Sequence, residues 1–401
     1  MSGTAAPAVV IGLDCITGLQ SARILAARGV PVVGVVADSR HWATRTRSCR
    51  EIVTAPLSGE PLLAALRGMT RRWGTQLFLL PCTDEAVEFL SLHRERLPHG
   101  MVLPLASHDT VELLLDKVRF AEHAASAGLP VPRTTVLRDR TDAVRAAACH
   151  DFPAVLKPPM KAPGWLARTS AKAIPVHDAA ELLAVYDRIE AWTPVLLVQE
   201  WVSGSETGLY SCNAYFDEGG SPLVTFVARK VRQWPPDVGT SASGEECRND
   251  EVLDTLLKLF GGLGFHGFAY LEMKCDARTG RAVIIEPNVG RPTGRAAIAE
   301  AGGVELLDTA YRDAMGLPLP AARVQHYGDA KWVDVRRDLQ AAVVARRRGT
   351  LSAGDWLRWM RGHKAHAIWS ARDPLPFVAD VLRATARGSR ILVRSTTGGN
   401  Q

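Results

Sequence analysis

The sequence has no apolar run long enough to span a bilayer, so no transmembrane helix is expected. It has no CxxC pair. Its seven cysteines (Cys15, Cys49, Cys82, Cys149, Cys212, Cys247 and Cys275) stand singly and are odd in number. That argues against a disulfide frame and a cysteine zinc site, and for reduced thiols in a cytoplasm. The opening stretch, MSGTAAPAVVIGLDC, has no basic flank and runs straight into a strand pattern, so no signal peptide is expected. Internal repeats and low-complexity segments are absent. The first turn, GLDCITGLQ, is not GxGxxG: a dinucleotide fingerprint needs glycines at those offsets for close pyrophosphate approach, and here Asp14, Cys15 and Ile16 stand in between, which argues against NAD or FAD.

What is there fits an enzyme-sized globular chain. Its 401 residues suggest two to four structural units, and 47% hydrophobic with 22% charged residues is an ordinary soluble composition. The net charge of +6 is uneven. Residues 331–401 carry 14 Lys and Arg against 5 Asp and Glu, a net of +9, leaving −3 for the first 330. A basic tail suits nucleic acid, an anionic surface or an acidic partner. The reading adopted is instead a solvated helical extension, because Trp332, Trp356, Trp359 and Trp369 sit at spacings that suggest packing and no nucleic-acid motif is present.

Residues 7–110 alternate strand and helix: PAVVIGL, then GLQSARILAARG ending at Gly29, then VPVVGVVAD, with the theme repeated in QLFLLPCTDEAVEFLSLHRERL. Such alternation predicts a parallel sheet covered by helices. HDTVELLLDKVRFAEHAASAGLPVPRT predicts two helices stopped at Gly128. LYSCNAYFDEGGSPLVTFVARKVRQ predicts a hairpin turning at Gly219 and Gly220, and FAYLEMKCDARTGRAVIIEPN a second one. An α/β region is thus followed by an α+β region rich in antiparallel strands.

The second hairpin carries acids in strands that otherwise read as core. A loop centred on Thr279 sets Glu272 opposite Glu286, and Asn288 shares the face of Glu286. Two carboxylates facing each other repel unless something lies between them. A divalent cation with oxygen ligands is one solution, Mg²⁺ being suited to it. Salt bridges to Lys274 and Arg291 are the other, and spacing alone leaves both open. Lys157, ending the strand FPAVLKPP, either snorkels to water or holds phosphate as a point charge, and Lys117 is ambiguous in the same way.

In their order, these motifs resemble the ATP-grasp superfamily. The resemblance covers roughly residues 7–320 and is nearest to carboxylate–amine ligases of the D-aspartate ligase type, through ARKVRQWPPDVGTSASGEE and RDPLPF. It implies an ATP-grasp fold, mixing α/β and α+β, with these parts: a Rossmann-like preceding domain over 1–110, two grasp subdomains over 111–195 and 196–325, and a basic, mostly helical extension over 326–401. It implies that Lys117 and Lys157 touch nucleotide phosphates. In VQEWVSGSE, Gln199 would face the adenine amine, Glu200 and Val202 would present backbone to the adenine edge, and Glu206 would take the ribose. Glu272, Glu286 and Asn288 would ligate Mg²⁺, two ions being expected with Mn²⁺ as a substitute. Arg291, Arg229 and Arg232 are the expected catalytic cations. This sequence departs from the family in three places. Val289 and Gly290 separate Asn288 from Arg291, the loop PPMKAPGWLARTSAKA carries Lys161 and Arg168 in place of small residues, and Gln199 stands where an acid is common.

The implied chemistry activates a substrate carboxylate as an acyl phosphate with release of ADP and joins it to an amine. The expected partners are a small-molecule acid and amine, with no nucleic acid and no membrane span, and the chain is expected to be cytoplasmic and able to form a homodimer. A phosphotransferase or carboxylase without amide formation, or a non-catalytic nucleotide-binding protein, are the alternatives.

Overall fold

In the computed structural model, residues 5–159, 163–169, 171, 173–236 and 239–385 are described. The alternating N-terminal pattern forms a five-stranded parallel sheet in the order Glu51–Thr54, Val32–Val36, Ala8–Ile11, Leu77–Pro81, Met101–Val102. Its three central strands are buried along their whole length, as expected where helices cover both faces. The helix Ile16–Ala27 leaves the first strand through a turn in which Cys15 Sγ accepts from the Gly18 backbone N–H. A Cβ on Gly18 would lie 2.3 Å from the Gly12 carbonyl oxygen, so this glycine serves close packing of helix on turn.

Two helices, His108–Leu115 and Lys117–Ser126, lead away from this sheet; the second ends before Gly128, whose φ is +59°. A four-stranded antiparallel sheet follows, in the order Thr134–Leu137, Leu196–Glu200, Ala154–Lys157, Ile174–Val176. Leu156, Val198, Trp165 and Tyr186 belong to its own small core, shared with the helices Arg140–Cys149 and Ala179–Ile189.

The third sheet has seven strands, in the order Ala282–Val289, Gly267–Cys275, Leu209–Phe216, Pro222–Trp234, Thr240–Glu246, Lys331–Val333, Lys364–His366. Both expected hairpins are in it, antiparallel throughout. The last two strands come from the basic C-terminal segment. That segment does contain helices, Val335–Arg347 and Ala353–Trp359, but Lys331–Val333 pairs with residues 243–245 and so makes it part of the sheet.

Charge fixes this attachment. Asp338 is fully buried and accepts both limbs of Arg232, at 2.7 and 3.1 Å, and the Trp356 indole N–H at 2.9 Å. Trp359 lies beneath the Arg232 guanidinium at 4.6 Å and donates to Glu245 at 3.0 Å. Further on, buried Asp373 accepts from Arg23 at 2.9 Å, Thr46 at 2.6 Å and the Arg47 backbone at 3.1 Å, tying the same segment to the first sheet. Three of the tail tryptophans therefore pack as expected, whereas Trp369 is 41% exposed.

Removing one member of a buried ion pair leaves the other charge without compensation, at a cost of about 3–5 kcal/mol. Asp338→Ala is expected to lower the urea midpoint of the tryptophan-monitored transition by a corresponding amount with little change in slope. An unchanged midpoint would show that Arg232 finds another partner and that this pair does not anchor the segment.

Candidate functional site

The second hairpin sets Glu272 directly opposite Glu286. The ladder slips between Glu272 and Met273, so Ile285 is an extra residue on the outer strand. Such a bulge bends the strand and re-aims its side chains. Pro287 is tolerated because this strand is the sheet's edge. Glu286 is exposed and borders, with Asn288, a cavity of about 390 Å³. Lys117, Lys157 and Gln199 border the same cavity from the smaller sheet and the helix before it.

Lys157 ends its strand with Nζ donating to Gln199 Oε1 at 2.7 Å, and Gln199 Nε2 donates to Thr134 Oγ1 at 2.8 Å. Lys117 Nζ donates to the Pro159 carbonyl at 3.0 Å. Burial pushes the Lys157 pKa down to about 8; the nearby Lys117 charge pushes the same way and Glu286 opposes it. Two cations and one carboxylate thus act on one another across the cavity.

The other expected residues are distributed less simply. Glu200 and Val202 border a neighbouring cavity of about 490 Å³, which shares Val131 and Pro132 with the first. Glu200 there pairs with Arg278. Glu206 borders neither cavity, and its Oε2 accepts from the Gln233 backbone at 3.2 Å. Arg291 donates to Asn288 Oδ1 and to Asp84, both at 2.6 Å, so it is brought to the site. Arg229 is paired with Glu245 at 2.8 Å. Arg232 is turned away onto Asp338, and nothing brings it to the cavity. Lys161, in the expected phosphate-covering loop, lies outside the described residues, as do residues 237 and 238 of the stretch after the first hairpin.

Glu272 has partners other than those read from spacing. Its Oε2 accepts from Arg295 at 2.9 Å and from the Tyr270 hydroxyl at 3.0 Å, and its Oε1 is 3.8 Å from Lys230 Nζ. Lys274 instead lies over the Trp201 ring at 5.5 Å. Arg295 is 23 residues from Glu272 in sequence, and no local pattern marks it.

The donor set fits Mg²⁺. Glu286 is exposed to the cavity, Asn288 Oδ1 has a second lone pair beside the one Arg291 uses, and Glu272, which does not border the cavity, has its Oε1 3.8 Å from Lys230 and clear of Arg295. Among the described residues no group of three or more His, Cys, Asp or Glu side chains forms a metal cluster.

No family model matches the chain. It is 23% identical to a D-aspartate ligase of Enterococcus faecium over 220 residues, 53% of this chain and 52% of that protein. It is 34% identical to a D-alanine–D-alanine ligase of Stutzerimonas stutzeri over 190 residues, 44% of this chain and 55% of that protein. The chain therefore spans about half the length of the curated relatives it matches. Among solved structures, the biotin carboxylase domain of Hydrogenobacter thermophilus 2-oxoglutarate carboxylase, in complex with MgADP, ADP and bicarbonate, superposes with a TM-score of 0.60 at 17% identity, covering 79% of this chain and 71% of that one. N5-carboxyaminoimidazole synthetase of Staphylococcus aureus gives 0.61 at 15% identity, covering 79% and 78%. The similarity to D-aspartate and D-alanine–D-alanine ligases expected from the motifs is found, and the fold is the ATP-grasp fold.

Two outcomes are expected of the site. Lys157 is charged below a pH of about 8 and neutral above it, and only the charged form attracts phosphate. ATP affinity should fall as pH rises from 7.5 to 9.5, and calorimetry at pH 8.5 in buffers of different ionisation enthalpy should show proton uptake on binding. Lys157→Met should lose both effects; a pH-independent wild-type affinity would leave Lys157 outside the phosphate site. Separately, Glu286→Gln keeps shape and removes one charge from an exposed position. Its melting temperature should hold while the Mg²⁺ concentration needed for half-maximal ADP formation rises at least about tenfold, about 1.4 kcal/mol. Unchanged Mg²⁺ dependence would take Glu286 out of the metal set.

Proposed function

We propose that the protein is an ATP-dependent ligase that activates a substrate carboxylate as an acyl phosphate, releases ADP and joins the acyl group to an amine. The observation that carries this reading is the convergence on one cavity of Lys117 and Lys157 with Glu286 and Asn288. The matched relatives are named for ligation of D-aspartate and of D-alanine, which supports amino acids or related small molecules as the acid and the amine.

In this reading a carboxylate oxygen attacks the γ-phosphorus and the bond from γ-phosphorus to the bridging oxygen breaks, leaving ADP. The amine nitrogen then attacks the acyl carbon, the carbon–oxygen bond to phosphate breaks, and inorganic phosphate leaves with the amine proton passed to solvent. The protein positions groups and neutralises charge. Lys157 and Lys117 hold phosphate oxygens as point charges. The backbone of Glu200 and Val202 meets the adenine edge, and Glu206 the ribose. Glu286, Asn288 and Glu272 would hold Mg²⁺, two ions or Mn²⁺ in their place being the finer form of the proposal. When bound, the ion supplies Lewis-acid neutralisation of the phosphate oxygens. Arg291, which donates to Asn288 and Asp84, would steady the acyl phosphate. Arg229 takes part only if it exchanges Glu245 for substrate. This reading gives Arg232 no catalytic role, since its Nε and Nη2 bond Asp338.

Hydroxylamine tests the reaction class, since it is a small nucleophile that needs no acceptor pocket. With the correct acid, ATP and Mg²⁺, it should give a hydroxamate together with ADP and phosphate. AMP and pyrophosphate would overturn the phosphoryl-transfer assignment, and ADP without hydroxamate would favour a phosphotransferase.

A further inference from the structure

The strap of residues 369–385 carries an apolar stripe on the side that faces solvent. The chain is helical over 375–385. Its inner face is settled: Asp380 is buried and accepts from Arg336 at 3.0 Å, and Phe377 packs on the core. Val378 and Leu382, two residues to either side of Asp380, therefore point the other way. They are 47% and 63% exposed, and Leu375, one turn earlier on the same face, is 51% exposed. The helix Val335–Arg347 runs alongside, since Arg336 belongs to it. Leu339 and Val343, three and seven residues on from Arg336, share one face of that helix and are exposed as well. Trp369, at the start of the strap, meets Phe377 edge to face at 5.4 Å and leaves much of its indole in solvent.

Beside this stripe lies positive charge without counter-charge. The strap is bonded to the segment 37–50, which joins the strands Val32–Val36 and Glu51–Thr54: Asp373 holds Thr46 and the Arg47 backbone, and Arg383 reaches Asp38 at 3.5 Å. After Asp38 that segment has four arginines, Arg40, Arg45, Arg47 and Arg50, and no acid. All four are exposed, and among the described residues their guanidinium groups have no partner. Arg372, exposed next to Asp373, makes a fifth. The nearby acids are already engaged, Asp373 and Asp380 in buried ion pairs and Asp38 with Arg383. Four of the five arginines come from the first sheet's loop, so this charge is not the tail's own excess.

Aliphatic side chains without cover and cations without counter-charge thus meet along one short helix. An anionic bilayer surface supplies both partners, phosphate oxygens for the guanidinium groups and hydrocarbon for leucine and valine. Nucleic acid would use the arginines but offers little to an aliphatic stripe. A helix lying in the headgroup plane buries its apolar face by about 5–10 Å, within reach of these side chains, and an indole such as that of Trp369 favours the same layer. We propose that this face docks the protein on an anionic lipid bilayer, with the helix over 375–385 in the headgroup layer and the loop arginines on lipid phosphates. The contact is peripheral: among the described residues no helix is long and apolar enough to cross a membrane. It stands independently of the ligase reading.

Vesicle sedimentation of the full-length protein tests the docking, with phosphatidylcholine alone and with phosphatidylcholine mixed with phosphatidylglycerol. Wild type should bind the mixed vesicles saturably, with a blue shift of tryptophan emission, and the neutral ones at least about tenfold more weakly. Raised salt should weaken the binding. Leu382→Glu puts a charge in the stripe, and Arg45→Glu with Arg47→Glu reverses the loop; each should weaken binding at least about tenfold. Val144→Glu, exposed on the helix Arg140–Cys149, should leave it unchanged. Vesicle-free melting temperatures report folding, and if the double arginine variant fails to fold, Leu382→Glu decides. No saturable binding to the mixed vesicles, or an equal loss in Val144→Glu, overturns the proposal. So does undiminished binding by Leu382→Glu, which would leave charge alone at work. Two further results overturn it by naming another occupant: a DNA duplex bound more tightly than vesicles and insensitive to Leu382→Glu, or a dimer that Leu382→Glu dissociates in a protein that ignores vesicles.

Discussion

A half-buried carboxylate one strand in from the edge of a seven-stranded sheet calls for cations packed beside it, and Glu272 has two, Arg295 and Lys230. Much of the site follows from satisfying that demand. Arg295 reaches Glu272 only because the chain after Asn288 turns back over the sheet through Gly290, whose φ is +70°. A Cβ there would lie 2.3 Å from Leu105 Cδ1 and 2.8 Å from Val87 Cγ1, so glycine lets this loop press against the helix Asp84–Leu92 and the segment at Leu105. On that path Arg291 meets Asp84 at the head of the helix Asp84–Leu92 and Asn288 at the hairpin. One short stretch thus couples the parallel sheet and the second hairpin.

The basic segment is explained from the other side of the same sheet. Much of its charge chemistry is internal: Asp338 takes Arg232, Asp373 takes Arg23, and Asp380 takes Arg336. Asp334, Asp338, Asp373 and Asp380 of the tail are buried and pair with arginines, which makes the segment look more like a polyanion-binding tail than its packing warrants. The result is a strap that extends the large sheet at one end and bonds Arg23 and Thr46, beside the five-stranded sheet, at the other.

Legibility followed range. The opposition of Glu272 and Glu286 was readable because a hairpin fixes register locally, and the parallel sheet because strand–helix alternation repeats over a hundred residues. The bulge at Ile285 was not readable, since its apolar run is equally compatible with a regular ladder. Nor were the strands Lys331–Val333 and Lys364–His366, three residues each, too short for any periodicity. The pairing of Arg232 with Asp338 spans 106 residues and that of Arg295 with Glu272 spans 23. Spacing offered nearer partners for these charges, Lys274 and Arg291 for the hairpin acids and substrate for Arg232, and tertiary geometry chose others.

The same reasoning bears on Gln199, which stands where an acid is common in ATP-grasp ligases. An amide has a donor end and an acceptor end, and the surrounding hydrogen bonds must say which is which. Thr134 donates its proton to the Pro132 carbonyl at 3.0 Å, so its oxygen is left to accept from Gln199 Nε2. Oε1 is thereby turned toward Lys157. The chain from lysine to glutamine to threonine to carbonyl has one polarity throughout. An ammonium has three protons, and one spent on Gln199 leaves two for phosphate; Oε1 keeps a second lone pair for an amine. Under the proposed reading, the chain's fixed direction lets a neutral side chain do an acid's work in accepting the adenine amino proton. It also supports Lys157 without setting a second negative charge beside Glu286, which leaves the lysine's pKa low enough to respond to the arrival of phosphate.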